Sequence, residues 1–426
     1  MTSIPIEPDN FSQTKAFLVT LQAPGVTEET ALANLEELQG LTATMGLNCV
    51  GTMVVKQREN HAKLLVGTGK ATEILEAADL AQAELIVFDD DLSPTQQRNW
   101  EEFTQKTVID RQEVILEIFS QRALTREAVL QVGLARMEYS LPRLTRSYTD
   151  LSRQRGGARN NRGGGEMKLE LDRRVILRKI DQFKRELLEV RAHRDRTRKQ
   201  RKVSPLPRVA IVGYTNAGKS TLLNCLAGAE VLQEDKLFAT LDPTTRKATV
   251  TPGLQILLTD TVGFIQKLPH QLIDAFRSTL EEAIYADFLL HVLDVSHPQA
   301  EQQYNLTNQV LAELGAGDKP QLLVLNKADK ATPFELTAWQ NRFPEAIQTS
   351  LFREEGLEQL KLAVSKLTLT LVPPLKFQIP LDRGDLLAYL RKNGQILNES
   401  YEEDTIYVQA QVVPAWLPPL QPWLRS

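Results

Sequence analysis

Cysteine is nearly absent: Cys49 and Cys225 are the only two in 426 residues, and they lie far apart in the chain. That excludes a disulfide framework and a Cys-based zinc cluster, and it fits a reducing compartment. No apolar run approaches the ~18 residues that cross a bilayer. The polar, Pro-containing start from Met1 to Phe11 lacks the basic-then-apolar pattern of a secretory signal. A cytoplasmic location is therefore expected. What the chain does have is ordinary for a soluble globular protein, 42% hydrophobic and 24% charged residues. Its length suggests roughly two to four domains.

The formal net charge of −4 conceals an asymmetry. Residues 141–202 hold 20 Lys and Arg against 8 Asp and Glu, a net of +12, which leaves −16 for the remainder. One strongly basic insert in an acidic chain predicts an element that faces a polyanion.

The first ~120 residues alternate between two periodicities. Residues 15–21, 48–55, 84–88 and 107–110 read as short strands. Residues 28–45 and 71–81 read as helices, and Ser93 can cap a third that runs through Arg98 to Phe103. This order predicts a small parallel α/β domain. Next come two heptad-like seams: Leu130, Leu134, Met137, Leu141 and Leu144, with Pro142 as an interruption, then Ile176, Ile180, Phe183, Leu187 and Val190. Between them lies R-Q-R-G-G-A-R-N-N-R-G-G-G-E at 153–166, whose five glycines predict an irregular tip on a helical hairpin. The basic run 191–202 closes the second helix, and Ser204-Pro205-Leu206-Pro207 marks a boundary. Pro373-Pro374 marks another, before a strand at 376–380, a helix at 382–393 stopped by Gly394, and a strand at 405–413. Domains are expected at 1–122, 123–203, 204–371 and 372–426.

The chemistry is concentrated at 206–368. An apolar strand, R-V-A-I-V-G, feeds Gly213, Tyr214, Thr215, Asn216, Ala217, Gly218, Lys219 and Ser220, then a helix from Thr221. This is G-x-x-x-x-G-K-[ST] in its strand–loop–helix context, a loop whose backbone N–H groups cradle phosphates at a helix N-terminus. Lys219 is expected to reach the β- and γ-phosphates, and Ser220 to bind Mg²⁺. A second strand at 254–259 ends in Asp260, Thr261, Val262 and Gly263. Asp260 is expected to help hold Mg²⁺, and the Gly263 amide to meet a γ-phosphate. A third apolar run, 321–325, precedes Asn326-Lys327-Ala328-Asp329. A carboxylate at Asp329 can accept both N1–H and N2–H₂ of guanine, which adenine cannot offer, so GTP is the expected substrate. Thr349-Ser350-Leu351 matches a base-backing S-A-[KL] loop except at Leu351.

Phe238, Ala239, Thr240, Leu241, Asp242, Pro243, Thr244 and Thr245 read as a switch loop before a strand at 247–251. A threonine there should complete the Mg²⁺ shell, Thr240 first and Thr244 as the alternative. Lys219, Thr240 and Gly263 are the expected catalytic groups. Phe264 follows D-T-V-G where many GTPases place a water-orienting glutamine, so slow intrinsic hydrolysis that depends on a partner is expected. Asn216 has two readings, a K⁺ ligand or a satisfier of its own loop backbone. Gly67-Thr68-Gly69-Lys70 reads better as a glycine turn opening a helix than as a second phosphate loop, because Leu64 and Ala71 break the motif.

The basic tract reads either as a solvated face or as an RNA contact. Arg153, Arg155, Arg159 and Arg162 have no acid among them and sit on flexible backbone, which favours phosphates of an irregular RNA. Aromatic stacking platforms are missing, which argues against single-strand readout.

Along most of its length the chain resembles the HflX family of ribosome-associated GTPases. The resemblance rests on F-D-D-D-L-S-P-T-Q-Q-R-N-W (88–100), V-I-D-R (108–111), Y-S-L-P-R-L (139–144), L-S-R-Q-R-G-G (151–157) and R-G-G-G-E-M-K-L-E-L-D-R-R (162–174). G-Y-T-N-A-G-K-S (213–220), F-A-T-L-D-P-T-T-R (238–246) and D-T-V-G-F-I (260–265) extend it. It departs at Gly164, Met167 and Leu351. The resemblance implies a factor that binds the large ribosomal subunit through the loop 153–165 and splits stalled or idle ribosomes, with Phe264 as the family's hydrophobic replacement of glutamine. The expected fold is α/β: a P-loop GTPase domain, preceded by a small parallel α/β domain and a helical hairpin, and followed by a small α+β domain. A monomer is expected. Two competing readings are a GTPase acting in RNA modification or ribosome assembly, and a regulatory GTPase without RNA.

Overall fold

A computed structural model describes residues 14–59, 61–147, 162–201, 206–228, 237–238, 240–251, 254–267, 281–351, 353–402 and 404–425. The chain divides into two compact units. The first is formed by the chain up to Asp195, together with Leu237, Phe238, residues 240–242 and Lys267 from later in the sequence; the second holds the rest. Among the described residues no helix is long and apolar enough to cross a membrane.

The first unit begins β1 (Lys15–Gln22), α1 (Glu28–Met45), β2 (Asn48–Lys56), α2 (Thr68–Leu80), β3 (Leu85–Phe88), α3 (Pro94–Thr104), β4 (Thr107–Asp110) and α4 (Arg111–Arg122). Its four strands form a parallel sheet in the order β2-β1-β3-β4. Local signals set the helix ends. Thr27 caps α1, whose last turn closes on left-handed Gly46. Ser93 forms a capping box with Gln96, with Pro94 just inside α3. Against the sheet, Trp100 is fully buried on Phe88, with ring centroids 4.9 Å apart, and its Nε1 donates to the Leu64 carbonyl at 3.1 Å. Gly67 caps α2, and Lys70 in the first turn pairs with Glu73 at 2.5 Å, so this glycine segment opens a helix.

A buried ionic cluster lies where β3 and β4 end. Arg111 donates to Glu37 and, at 2.6 Å, to fully buried Asp89, whose other oxygen takes Lys267 Nζ, also at 2.6 Å. Removing one partner of such a cluster leaves an uncompensated buried charge, at about 3–5 kcal/mol. The later segment is fastened by packing as well. Phe238 meets Phe119 edge-on with centroids 4.6 Å apart, and Leu241 is buried. The Asp242 carboxylate takes the Leu124 and Thr125 amides at 3.0 Å each, just ahead of the next helix.

That helix, α5 (Arg126–Ser147), and the long α6 (Arg162–Arg201) meet where Gly133 lets the Phe183 ring approach: a Cβ there would stand 3.0 Å from it. Ile180 and Leu187 are buried, as are Leu130 and Tyr139. Two expectations need correction. Pro142 does not interrupt the first helix, which continues to Ser147; a proline costs a helix one donor and crowds one carbonyl, and the buried residues up to Tyr139 hold the preceding turns. Gly163, Gly164 and Gly165 were expected in an irregular tip but lie in the first turn of α6. First-turn amides need no intrahelical acceptor, and the long helix that follows outweighs about 1 kcal/mol per glycine. Arg153, Arg155 and Arg159 lie outside the described residues; Arg162 starts α6, and nothing is described of its side chain.

The second unit contains β5 (Arg208–Gly213), α7 (Lys219–Ala227), β6 (Thr244–Thr251), β7 (Leu254–Asp260), β8 (Phe288–Asp294), α8 (Ala300–Glu313), β9 (Gln321–Asn326), α9 (Pro333–Arg342), β10 (Ile347–Gln348) and α10 (Leu357–Thr370). The sheet order is β10-β9-β8-β5-β7-β6, parallel except for β6. β6 starts at Thr244, earlier than the expected 247, because Thr245 and Thr259 hydroxyls bond across the ladder at 2.9 Å. β11 (Leu375–Pro380), α11 (Gly384–Asn393), β12 (Gln395–Glu402), β13 (Thr405–Gln411) and β14 (Leu424–Arg425) add an antiparallel sheet, order β12-β13-β11-β14. β12 was not expected, since its exposed edge leaves no regular alternation to read. One continuous core joins the two sheets, from Leu222 and Phe288 to Phe377, Leu390 and Trp416.

In the first unit, Asp110 receives Tyr139 Oη at 2.9 Å, Arg143 Nη2 at 3.2 Å and the Leu92 amide at 3.1 Å. Beside it Glu113 is pushed up to about 7, by burial first and then by the Asp110 charge. A carboxyl raised on folding stabilises below the unfolded value near 4.5, and that contribution is lost as pH rises towards 7. Thermal melts of the whole chain at pH 5.5 and 8 should therefore show a smaller fall for Glu113→Gln than for the parent chain. Equal falls would contradict this.

Candidate guanine-nucleotide site

The site is built at the carboxyl ends of parallel strands, where β5 is flanked by β7 on one side and β8 on the other, so that the chain order reverses there. Register aligns the ends: Ile211 pairs with Asp260, Gly213 with Val292 and Asp294 with Asn326. The motifs far apart in sequence thus meet along one edge of the sheet.

The loop between β5 and α7 turns through Gly213 (φ +146°), Asn216 (φ +58°) and Gly218 (φ +100°). Side chains are excluded at both glycines: a Cβ on Gly213 would collide with the Val292 carbonyl, and one on Gly218 with the Asn326 side-chain amide. Lys219, first residue of α7, is buried and donates to the Tyr214 carbonyl at 2.7 Å. Burial pushes its ammonium down to about 8, partly opposed by the Asp260 charge. The buried Thr215 Oγ1 has no hydrogen-bond partner among the described residues. An ammonium, a hydroxyl and a helix N-terminus at one loop form an anion site. Thr221 continues the helix half-buried, and Ala217 is fully buried.

β7 delivers Asp260, whose Oδ2 accepts from Ser220 Oγ at 2.7 Å. This carboxylate and hydroxyl are the hard oxygen donors that Mg²⁺ takes. Thr261 donates to the Ile211 carbonyl at 2.7 Å, and Val262 is buried. Gly263 must lack a side chain, because a Cβ would lie 2.8 Å from both Lys219 Nζ and Thr215 Cα. Phe264 is 1% exposed, and its backbone bridges to the phosphate loop: its N–H donates to the Gly213 carbonyl at 3.1 Å, and its carbonyl accepts from Thr215 N at 2.8 Å. Tyr214 Oη accepts the Gln266 amide at 2.8 Å. The Phe264 ring is therefore spent on the core.

The switch segment is distributed differently. Phe238, Thr240 and Leu241 belong to the first unit, where Phe238 and Leu241 are buried, while Thr244 opens β6 in register with Asp260. Ala239 lies outside the described residues.

A third cluster comes from β9 and the loop before α10. Asn326 donates to the Ala217 carbonyl at 2.8 Å and accepts from Thr349 Oγ1 at 3.3 Å. Ser350 Oγ donates to Asp329 Oδ1 at 2.7 Å, and this hydrogen bond holds the carboxyl below its ordinary range. Leu351 is buried, and its Cδ1 would stand 3.6 Å from a Cβ on Gly218. Lys327 (φ +57°) pairs with Asp294 at 2.7 Å. Asp294 carries geometry that the sequence reading did not single out, and Thr349, named there only as part of the base-backing loop, holds Asn326. The signal for Asp294 was available: it ends the apolar run F-L-L-H-V-L-D, so it had to emerge at a strand's carboxyl end.

Comparison with known proteins finds relatives of this chain. Residues 33–120 match a family described as GTP-binding GTPase N-terminal, 122–201 one described as GTP-binding GTPase Middle Region, and 208–327 one described as 50S ribosome-binding GTPase. A protein of Akkermansia muciniphila named GTPase HflX is 44% identical over 92% of this chain and 93% of its own length. One of Lacrimispora saccharolytica with the same name is 45% identical over 90% of each. A solved structure described as SsGBP and GDP complex is 25% identical, with TM-score 0.49, over 84% of this chain and 99% of that one.

Gly218→Ala should weaken GDP binding by at least about tenfold, since it combines left-handed strain with a clash on Asn326. Fluorescent-GDP titration checks this; unchanged affinity in a folded variant would contradict the role given to Gly218.

Proposed function

Because the chain belongs to the HflX family of GTPases, whose members hydrolyse GTP, we propose that it is a GTP-driven factor that engages the large ribosomal subunit, hydrolyses on contact and leaves with GDP. The observation that carries this reading is the match of residues 208–327 to a 50S ribosome-binding GTPase family. The basic tract 141–202, with its net charge of +12, supports a partner rich in phosphate. Arg153, Arg155, Arg159 and Arg162 are its proposed RNA contacts. Splitting of stalled or idle ribosomes is the proposed outcome, with the chain acting as a monomer in the cytoplasm.

In this reading the phosphates lie on the loop from Gly213 to Ser220, with Lys219 shifting from the Tyr214 carbonyl to the β- and γ-oxygens. Ser220 and Asp260 hold Mg²⁺, joined by a switch threonine. Thr240 is proposed as that threonine, with Thr244, which stands beside Asp260 in the β6–β7 register, as the alternative. A Mg²⁺ ion held by these residues would supply positive charge against the charge developing on the phosphates. The Gly263 amide approaches the γ-phosphate because no side chain blocks it. Asn326, Lys327 and Asp329 take the guanine, with Ser350 and Leu351 backing it. Phe264, directly after Gly263, is buried and its ring offers no polar group to orient the attacking water. Turnover of the free protein is therefore slow, and the missing group comes from the partner or from an ion such as K⁺ near Asn216.

GTP turnover with and without purified large ribosomal subunits tests the proposal. At least about tenfold stimulation is expected, the size of one well-placed transition-state contact, together with co-sedimentation in a non-hydrolysable GTP analogue. Lys219→Ala should lose that GTP-dependent binding. Neither stimulation nor co-sedimentation would leave the two other readings, RNA modification or assembly and regulation without RNA.

A further inference from the structure

Lys327 stands in a backbone conformation that lysine rarely adopts, at φ +57°, and its side chain, 15% exposed, pairs with an Asp294 carboxylate that is 14% exposed. Asp294 ends β8 directly opposite Asn326 at the end of β9, and the Val295 amide donates to the Asn326 carbonyl at 3.2 Å. The carboxylate is fixed at both oxygens. Oδ2 takes Lys327 at 2.7 Å, while Oδ1 accepts the Ser296 amide at 3.1 Å and the Ser296 hydroxyl at 2.6 Å. It has no rotamer freedom left with which to release the lysine.

We infer that Asp294 is a positioning residue for the guanine nucleotide and acts through Lys327. Two physical consequences follow from the pair. The four methylenes of Lys327 are pinned at their far end, so they form a fixed apolar stem beside the base-reading loop, suited to the face of a purine. The ammonium is also withheld from Asp329, two residues on. A lysine free to swing would compete for that carboxylate, which already takes the Ser350 hydrogen bond and lies 3.9 Å from Arg353 Nε; one committed to Asp294 adds no further cation beside the oxygens that face N–H donors of the base. Ser296 is the third member, setting the carboxylate that sets the lysine.

The inference rests on the proposal that guanine sits at Asn326, Lys327 and Asp329, and the test separates the two. Dissociation constants for GDP and kcat for GTP are measured for Asp294→Asn, Lys327→Met and the double variant, with Ser296→Ala as a milder second probe. Asp294→Asn should weaken GDP about tenfold, as expected for loss of a charged hydrogen bond, with kcat at saturating GTP nearly unchanged. The double variant should bind no worse than Lys327→Met alone, and Ser296→Ala should have a smaller effect that vanishes in the Lys327→Met background. Breaking an ion pair that only stabilised the fold would lower the melting temperature and leave the GDP affinity of the folded variants unchanged. Additive losses, or unchanged affinity in Asp294→Asn while Lys327→Met weakens binding, would overturn the positioning role alone. Unchanged affinity in Lys327→Met would overturn the base-site reading and this inference with it.

Discussion

One side chain holds the nucleotide site together. The amide of Asn326 donates to the Ala217 carbonyl inside the phosphate loop and accepts from Thr349 in the loop that carries Ser350. Three segments from distant parts of the sequence are thereby fixed to one planar group that is itself buried. The demands on its neighbours follow from this. Gly218 can carry no Cβ because the amide fills that space, and Leu351 packs on the same glycine. Joining the proposed phosphate and base segments through one buried group limits the loop reorganisation that binding requires, so less binding free energy is lost to ordering loops.

The parallel sheet explains why those segments meet. β5, β8 and β9 are largely apolar runs buried on both faces, β7 is buried except at Gln255 and Leu257, and each ends in a residue of the site: Gly213, Asp294, Asn326 and, from β7, Asp260. In the first unit the same rule brings Asp89 and Asp110 to the ends of β3 and β4. There the burial of carboxylates is answered by Arg111, Lys267, Tyr139 and Arg143. A strand-end aspartate is thus equally suited to catalysis and to clamping, and only its partners distinguish the two uses.

Much of this was legible in one dimension. Helix α1 runs from Glu28 to Met45 and strand β4 from Thr107 to Asp110, as the periodicity predicts, because their caps are local. The phosphate loop and the N-K-A-D segment were legible since their spacing is dictated by chemistry. The partners of the switch residues were not. Phe238 packs on Phe119, and Asp242 takes the amides of Leu124 and Thr125, pairings more than a hundred residues apart that no local pattern announces. The Asp294–Lys327 pair, though only 33 residues apart, was not announced either: the end of the apolar run marks Asp294 but not its partner. The helical Gly163 to Gly165 misled in the opposite direction: glycine propensity is a local penalty, and a long helix overrides it.

The central claim is that Asp329, oriented by Ser350 and tied through this loop to the phosphate grip, reads the guanine ring. Nucleotide preference of Asp329→Asn tests it most directly, because the exchange reverses the hydrogen-bonding sense at one edge of the base and leaves the phosphate loop intact. Competition binding and turnover with GTP and xanthosine triphosphate should show preference passing to the xanthine nucleotide. An Asp329→Asn protein that still favours GTP as strongly as the parent chain would contradict the account.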